Sequence, residues 1–131
     1  MTLNNVKKEV ENINKYLLST TDQWLHFQVS RLQEGAIELD GSFDLCAYPG
    51  TFDIIKIKFE NPMFIKTMLS EWKLQKEKPF LELTAEDESL DAIKKIGLKL
   101  DGYYAFKINT DRNEPVLIIA KSIKFSITKG D

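Results

Sequence analysis

Catalytic chemistry has few candidate residues in this sequence. Histidine is the usual general acid-base residue and cysteine the usual thiol nucleophile, and the chain holds one of each, His26 and Cys46. They fall in adjoining predicted strands, so a Cys–His nucleophile pair is conceivable, but no third residue that would orient the histidine can be identified. We therefore expect His26 and Cys46 to be dispensable for any activity.

Carboxylates offer a second possible chemistry. Glu38, Asp40 and Asp44 share one face of a predicted strand, an arrangement that a hydrolase with paired carboxylates could use. The same alternation is typical of the solvent-exposed face of a strand in a half-buried sheet. We prefer this second interpretation.

The motifs that bind metals and nucleotides are absent from the sequence. There is no Cys-x-x-Cys, His-x-x-x-His, glycine-rich phosphate loop or Gly-x-Ser-x-Gly elbow. The acidic residues 86–88 with Asp91 lack the alternating ligands and glycine of a calcium-binding EF-hand loop. The sequence thus predicts no catalytic residue, no metal site and no cofactor.

Composition limits the partners of the chain. Its 131 residues suit one domain, residues 1–131, and 18 basic against 20 acidic side chains give a formal net charge of −2. Nucleic acid is therefore an unfavourable partner. The first residues lack the apolar core of a signal peptide, and the longest apolar run, residues 116–120, is too short to span a membrane. We expect a cytoplasmic protein without membrane contact; oligomeric state is left open.

The N-terminal segment has the pattern of an amphipathic helix. Thr2 is the expected N-cap, the polar run 19–23 is expected to end the helix, and Asn14 falls on its polar side. The helix is predicted to cover a sheet, with a short coiled-coil seam as the alternative. Spacings of three and four residues define its apolar stripe: Leu3, Val6, Val10, Ile13 and Leu17.

Alternating apolar and polar residues predict an antiparallel sheet of five to seven strands. Gly41 falls in the apolar phase of its strand, which indicates a bulge or a close neighbour. Lys121 interrupts the phase of the last strand, so a bulge near Ala120 is possible. The predicted strands cover residues 24–30, 37–45, 53–59, 80–83, 103–108 and 116–127, the last two forming a hairpin.

Residues 84–97 carry the signals of a second helix. Thr84 is the expected N-cap, acidic residues follow it, lysines lie near the C-terminal end, and Gly97 ends the helix. Leu90 and Ile93 are expected to face inward. Together with the sheet, the two helices predict an α+β fold: a mainly antiparallel sheet packed by an N-terminal helix and one or two further short helices.

The segment 61–76 can be a helix or a bent strand. Asn61–Pro62 suits the start of a helix, and Ile65, Met68, Leu69 and Trp72 then form one apolar face, which local rules favour. Asn61–Pro62 could instead be a bulge after which the chain continues extended. In both cases we expect Trp72 to belong to the core rather than to a binding surface.

The layout resembles that of small immunity proteins of bacterial polymorphic toxin systems. The resemblance lies in "WLHF" at 24–27, "IELDGSFDL" at 37–45, "IKIKFENPMFI" at 55–65 and the closing "YAFKI" and "LIIAKSIKF". Leu25 separates Trp24 from His26, which the family places side by side. The resemblance implies a non-enzymatic cytosolic protein that blocks the working surface of a toxin and carries no catalytic residues.

Two functions follow as hypotheses. The first is a protein-binding module whose acidic residues steer it onto a basic partner: Glu82, Glu86, Asp87, Glu88 and Asp91. The second is a small-molecule-binding protein or enzyme, with a pocket between a curved sheet and its helices lined by Trp72, Tyr103, Tyr104 and Phe106. A deep apolar pocket would favour the second, whereas a solid core with an exposed patch would favour the first.

Overall fold

A computed structural model describes residues 1–19, 26–42, 53–67, 72–73, 77–111 and 114–129. The predicted α+β class, with antiparallel pairing and an N-terminal helix on the sheet, is confirmed. The described elements are α1 (Leu3–Ser19), β1 (His26–Gln33), β2 (Ala36–Ser42), β3 (Ile54–Glu60), β4 (Phe64–Lys66), β5 (Trp72–Lys73), β6 (Leu81–Leu83), α2 (Glu88–Lys95), β7 (Tyr104–Ile108), β8 (Val116–Ala120) and β9 (Ser122–Thr128).

The prediction of one sheet with five to seven strands is wrong. The described part of the chain forms nine strands in two sheets, ordered β5-β1-β2-β3-β9 and β4-β8-β7-β6. All their pairings are antiparallel. Two segments show an almost uninterrupted alternation of apolar and polar residues, and each contributes one strand to each sheet. A strand count from this periodicity therefore counts two strands as one.

The chain crosses between the sheets at a corner formed by residues 60–63 and 119–121. β3 pairs with β9 on one side of this corner, and β4 pairs with β8 on the other. Asn61 takes a positive φ of 50°, which asparagine tolerates better than most residues, and Pro62 follows it. The Lys121 amide donates to the Glu60 carbonyl at 3.0 Å, and the Met63 amide donates to the Ile119 carbonyl at 2.8 Å. Such bends are how strands change sheets.

The structure of the corner tests two of the predictions made from the sequence. Residues 64–66 and 72–73 are strands, so the helix favoured over 61–76 is wrong there and the bent-strand alternative is right. Met68 and Leu69 lie outside the described residues. Lys121 marks the end of β8 and the start of β9 rather than a bulge within one strand. Proline and asparagine suit both a helix start and a strand bend, and pairing with β8 selects the bend.

One main core is shared by both sheets and α1. Val6, Val10, Ile13 and Leu17 are buried in it, as predicted, whereas Leu3 remains exposed. The Thr2 hydroxyl accepts a hydrogen bond from the Asn5 amide at 3.3 Å, which confirms the cap. The apolar stripe of α1 therefore packs in the core and does not form a coiled-coil seam.

Asn14 is not on a solvent-exposed face as the pattern predicts. Its side-chain nitrogen donates to the Leu81 carbonyl at 2.8 Å, and its side-chain oxygen accepts from the Leu81 amide at 2.9 Å. Leu81 belongs to β6, the edge strand of the four-stranded sheet. An unpaired edge is prone to pair with other chains, so α1 satisfies and covers this edge.

Gly41 has the close neighbour that its position predicts. It lies opposite Phe27 in the register of β1 and β2, and a Cβ atom at Gly41 would lie 2.5 Å from the Phe27 ring. The ring occupies the space above the glycine and stacks on Phe80, with 4.5 Å between centroids. Glycine is required here for packing rather than for a binding loop.

The second helix lies on the outer face of the four-stranded sheet. Leu90 and Ile93 are buried against Ile119, with Met63 and Phe64 beside them, in a cluster separate from the main core. The N-cap is Asp87, whose carboxylate accepts from the Ser89 amide at 2.8 Å, so the prediction of Thr84 is wrong. Thr84 instead closes a local turn, accepting from the Glu86 amide. Gly97 ends the helix as predicted, with φ of 86°.

Candidate functional site

The β1–β2 hairpin and the corner enclose an apolar groove, here called the hairpin groove. The hairpin turns at Glu34–Gly35, and the Asn61 amide donates to the Gly35 carbonyl at 2.9 Å, which holds the turn against the corner. The groove has a volume of about 410 Å³. Its lining consists of Leu32, Gln33, Glu34, Ile37, Pro62, Met63, Phe64 and Ile65.

The hairpin groove runs beside β4, an edge strand among the described strands. β4 is the last strand of the four-stranded sheet and pairs with β8 on one side. No described strand pairs with its other side. The groove therefore offers both apolar side chains and backbone hydrogen-bonding groups.

A second groove, here called the helix groove, lies between α2 and the corner. Its volume is about 350 Å³. Seven residues line it: Met63, Phe64, Ser89, Ala92, Ile93, Ile96 and Leu98. Met63 and Phe64 belong to both grooves, so the two form one continuous surface, here called the corner surface.

The corner surface gathers exposed apolar side chains. Seven large apolar residues of the described chain are exposed, and three of them line these grooves: Leu32 at 61%, Ile96 at 74% and Leu98 at 49%. Scattered exposed apolar residues are ordinary, whereas a contiguous patch marks an interaction surface. This patch is the strongest candidate for a functional site.

The five acidic residues predicted to face a partner have different surroundings. Glu86, Glu88 and Asp91 are exposed around the start of α2. Asp87 caps α2 and lies 3.8 Å from the Lys66 ammonium, and Glu82 on β6 accepts from the Asn109 amide group at 3.0 Å. Three of the five are thus free to face a partner, and the other two have contacts within the fold.

The four residues predicted to line a pocket are divided between the surface and the core. Tyr103 and Tyr104 line a third groove of about 260 Å³ beside Leu3 and Lys7. The Tyr104 hydroxyl donates to the Met1 carbonyl at 3.0 Å. Trp72 and Phe106 are buried in the main core, as expected for Trp72, and line none of these three grooves.

The carboxylates of β2 lie among cations on the outer face of the five-stranded sheet. The Lys56 ammonium lies 3.8 Å from Asp40 and 3.9 Å from Glu38, and Arg31 lies 3.7 Å from Glu38. The side chains of Glu38 and Asp40 are 12% and 26% exposed, so this face is only partly exposed to solvent. Asp44 lies outside the described residues.

Glu60 is the carboxylate with the clearest electrostatic environment. The Ser122 hydroxyl donates to its Oε1 at 2.9 Å, and the Lys124 ammonium lies 3.5 Å away. The hydrogen bond from Ser122, assisted by Lys124 and Lys58, lowers the pKa of Glu60 from its usual value. The contact joins β3 to β9 at the corner, so its effect is on the fold rather than on a reaction.

Of the two residues considered for nucleophilic catalysis, one lies among the described residues. His26 begins β1, and Cys46 lies outside the described residues, so their dispensability stays a prediction. Within the described ranges no three side chains are grouped as a metal site would need. Neither α1 nor α2 has the length and hydrophobicity to cross a membrane.

The comparisons with known proteins identify no relatives. The chain matches no protein-family model, no curated protein and no solved structure.

Sequence reasoning missed the residues of the corner surface. Met63 follows Pro62 and does not belong to the apolar face predicted for residues 61–76. Leu32 lies close before the hairpin turn. Ile96 and Leu98 flank the glycine that ends α2. A large apolar residue beside a turn is a weak signal by itself, and only the fold shows that these positions are neighbours.

Proposed function

We propose that this chain is a non-enzymatic, cytoplasmic protein-binding module and that its partner docks in the hairpin groove. The observation that carries the proposal is the position of an apolar groove alongside the edge of β4 that pairs with no strand in the described part of the chain. An extended peptide can add to such an edge, where backbone hydrogen bonds provide affinity and apolar side chains provide specificity.

The occupant that fits this site is an extended segment of another protein with apolar side chains. Leu32 on the hairpin and Met63 and Ile65 beside the corner line the groove and would contact those side chains. The exposed acidic residues Glu86, Glu88 and Asp91 would favour approach of a basic partner. In the role that the resemblance to immunity proteins implies, the partner is a bacterial toxin whose working surface the bound module covers.

The small-molecule alternative has less support. Trp72 and Phe106 fill the core, and the grooves described above are open to the surface rather than deep and enclosed. A drug-sized ligand is usually buried over most of its surface in a concave site. A solid core with an exposed apolar patch was the arrangement expected of a protein-binding module.

A display library of random short peptides tests the proposal. Selection on the immobilised protein should enrich peptides with apolar residues at alternate positions, and Leu32→Ser should weaken their binding by about tenfold, the loss of one packed apolar anchor. In spectra recorded with an enriched peptide, the amide signals of residues 64–66 should shift.

Leu18→Ser is the matched control for Leu32→Ser. Leu18 is 67% exposed and Leu32 is 61% exposed, but Leu18 lies on α1 and lines none of the three grooves. Enriched peptides should bind this variant as they bind the parent. The proposal is wrong if no peptide sequence is enriched, or if Leu32→Ser leaves the affinity of every enriched peptide unchanged.

A further inference from the structure

α2 forms one wall of the helix groove, and the exposed charged residues of the helix, which lie outside the lining of the groove, change sign along its length. α2 begins with exposed Glu88 and ends with exposed Lys95, with Asp91 and Lys94 between them. Acidic residues at the N-terminal end and basic residues at the C-terminal end are favourable to the helix dipole. That explanation accounts for the charges but not for the exposure of Ala92 and Ile96 beside them.

The apolar residues of this wall form a row beside the charges. Ser89, Ala92 and Ile96 recur at spacings of three and four, so they share one side of the helix, and all three line the groove. Ser89 and Ala92 are small, whereas Ile96 is large and 74% exposed. The row thus has a hollow at one end and a projecting side chain at the other.

This surface is complementary to itself. Residues 88 and 95 are seven positions apart, about two turns, and therefore lie on the same side of α2. If a second α2 packs antiparallel against the first, Glu88 of each copy lies opposite Lys95 of the other. Ile96 of each copy then lies over the small Ser89 side of the other. A single two-fold axis near Ala92 brings both pairings to within about one residue of register, or about 1.5 Å along the helix, as in the isologous interface of a homodimer.

We infer that the occupant of the helix groove is α2 of a second copy of this chain. The inference goes beyond the proposed function, because the contact lies in the helix groove, which shares only Met63 and Phe64 with the hairpin groove. Leu98, which is 49% exposed, extends the apolar contact beyond the helix. The contact is short, so the dimer belongs among weak interfaces that form at high protein concentration.

Sedimentation equilibrium of the full chain over a range of concentrations tests the inference. The parent should dimerise, and Ile96→Ser should weaken dimerisation by about tenfold or more. Glu88→Lys alone and Lys95→Glu alone should each weaken it, because like charges then face each other at both contacts.

An equimolar mixture of Glu88→Lys and Lys95→Glu provides the decisive measurement. In the mixed dimer each substituted charge faces an opposite charge, so a heterodimer should form under conditions in which each variant alone is monomeric. Loss of helix structure in one variant would not be repaired by mixing, so restored dimerisation separates surface charge from folding. Circular dichroism of Glu88→Gln and Lys95→Gln provides the folding control.

Three outcomes would overturn the inference. The parent could stay monomeric up to about 1 mM, the weakest range of specific association. The charge variants could dimerise as the parent does, which would place the contact elsewhere. The mixture could fail to restore dimers, which would leave a different protein as the occupant of the helix groove. None of these results bears on the binding of peptides in the hairpin groove.

Discussion

Both helices of this protein are amphipathic, yet they relate differently to the sheets. α1 places four apolar side chains in the main core and uses Asn14 to satisfy the edge of β6. α2 buries only Leu90 and Ile93 and leaves Ile96 exposed. The comparison shows that an apolar pattern alone does not reveal whether a helix completes a core or presents a surface.

The largest expected effect lies in the core that α1 helps to enclose. Trp72 is 1% exposed, so Trp72→Ala should cost about 3–5 kcal/mol of unfolding free energy. Its indole nitrogen has no acceptor among the described residues, so Trp72→Phe should cost less. Thermal unfolding measures both. If Trp72→Ala lowered the melting temperature by less than about 2 °C, Trp72 would instead have a binding role.

A matched pair of isoleucines compares the two helices directly. Ile13 on α1 is fully buried, and Ile13→Ala should cost about 2–5 kcal/mol. Ile96 follows α2 and is largely exposed, so Ile96→Ala should change stability by less than about 0.5 kcal/mol. Urea unfolding at low protein concentration, where self-association is absent, provides both values. Equal costs would remove the distinction between the helices.

The hydrogen bonds of Asn14 provide the next test. Asn14→Ala leaves the amide and carbonyl of Leu81 without their partner and should cost about 1–3 kcal/mol. Hydrogen exchange of the Leu81 amide should accelerate. Asn12 is exposed on the same helix, so Asn12→Ala is the control and should cost less than about 0.5 kcal/mol. Unchanged exchange at Leu81 would contradict the role of α1 in covering β6.

A substitution at the end of α2 should have a smaller effect on stability. Gly97 has a φ of 86°, and a Cβ atom there would meet no atom within 4 Å, so Gly97→Ala introduces backbone strain alone. The expected cost is about 1–2 kcal/mol. Gly97→Asn should cost less, because asparagine tolerates this conformation. Chemical denaturation compares the two variants, and equal stability of Gly97→Ala and the parent would refute the strain.

The smallest expected effect is a change in acid stability at the corner. Folding lowers the pKa of Glu60 from its ordinary value of 4.5, so the charged form stabilises the native state above that value. This contribution is lost as the pH falls through the lowered pKa, and it should be below about 1 kcal/mol. Unfolding free energies from pH 7 downward should therefore decrease less steeply for Glu60→Gln. Ser122→Ala should reproduce part of this change, and parallel curves for all three proteins would contradict it.

Much of the fold follows from local patterns. The spacing of Val6, Val10 and Ile13 predicted α1, and Thr2 caps it as expected. Gly97 ends α2, because few other residues adopt its φ. Gly41 indicated a close neighbour, and that neighbour is Phe27. These predictions succeed because the cause of each lies within a few residues or one strand pair.

The failures share a different cause. Asp87 rather than Thr84 caps α2, although both residues suit a cap, since the start of the helix depends on how Leu90 and Ile93 reach the sheet. Asn61–Pro62 bends a strand because β8 is available to pair with β4. The candidate site was missed for the same reason: Leu32 and Ile96 are far from Met63 in the chain, and only the fold places each of them in a groove with Met63.

By itself, the sequence determined the class of this protein, the two helices and most of the strands, because side-chain periodicity and end signals act over short distances. Only the tertiary structure decided that the strands divide between two sheets, that Asn14 completes an edge and that Leu32, Ile96 and Leu98 remain exposed in the grooves. Each of these outcomes depends on which distant backbone groups pair and which side chains they leave without a neighbour. The same apolar side chain is core or surface according to what the fold brings to it.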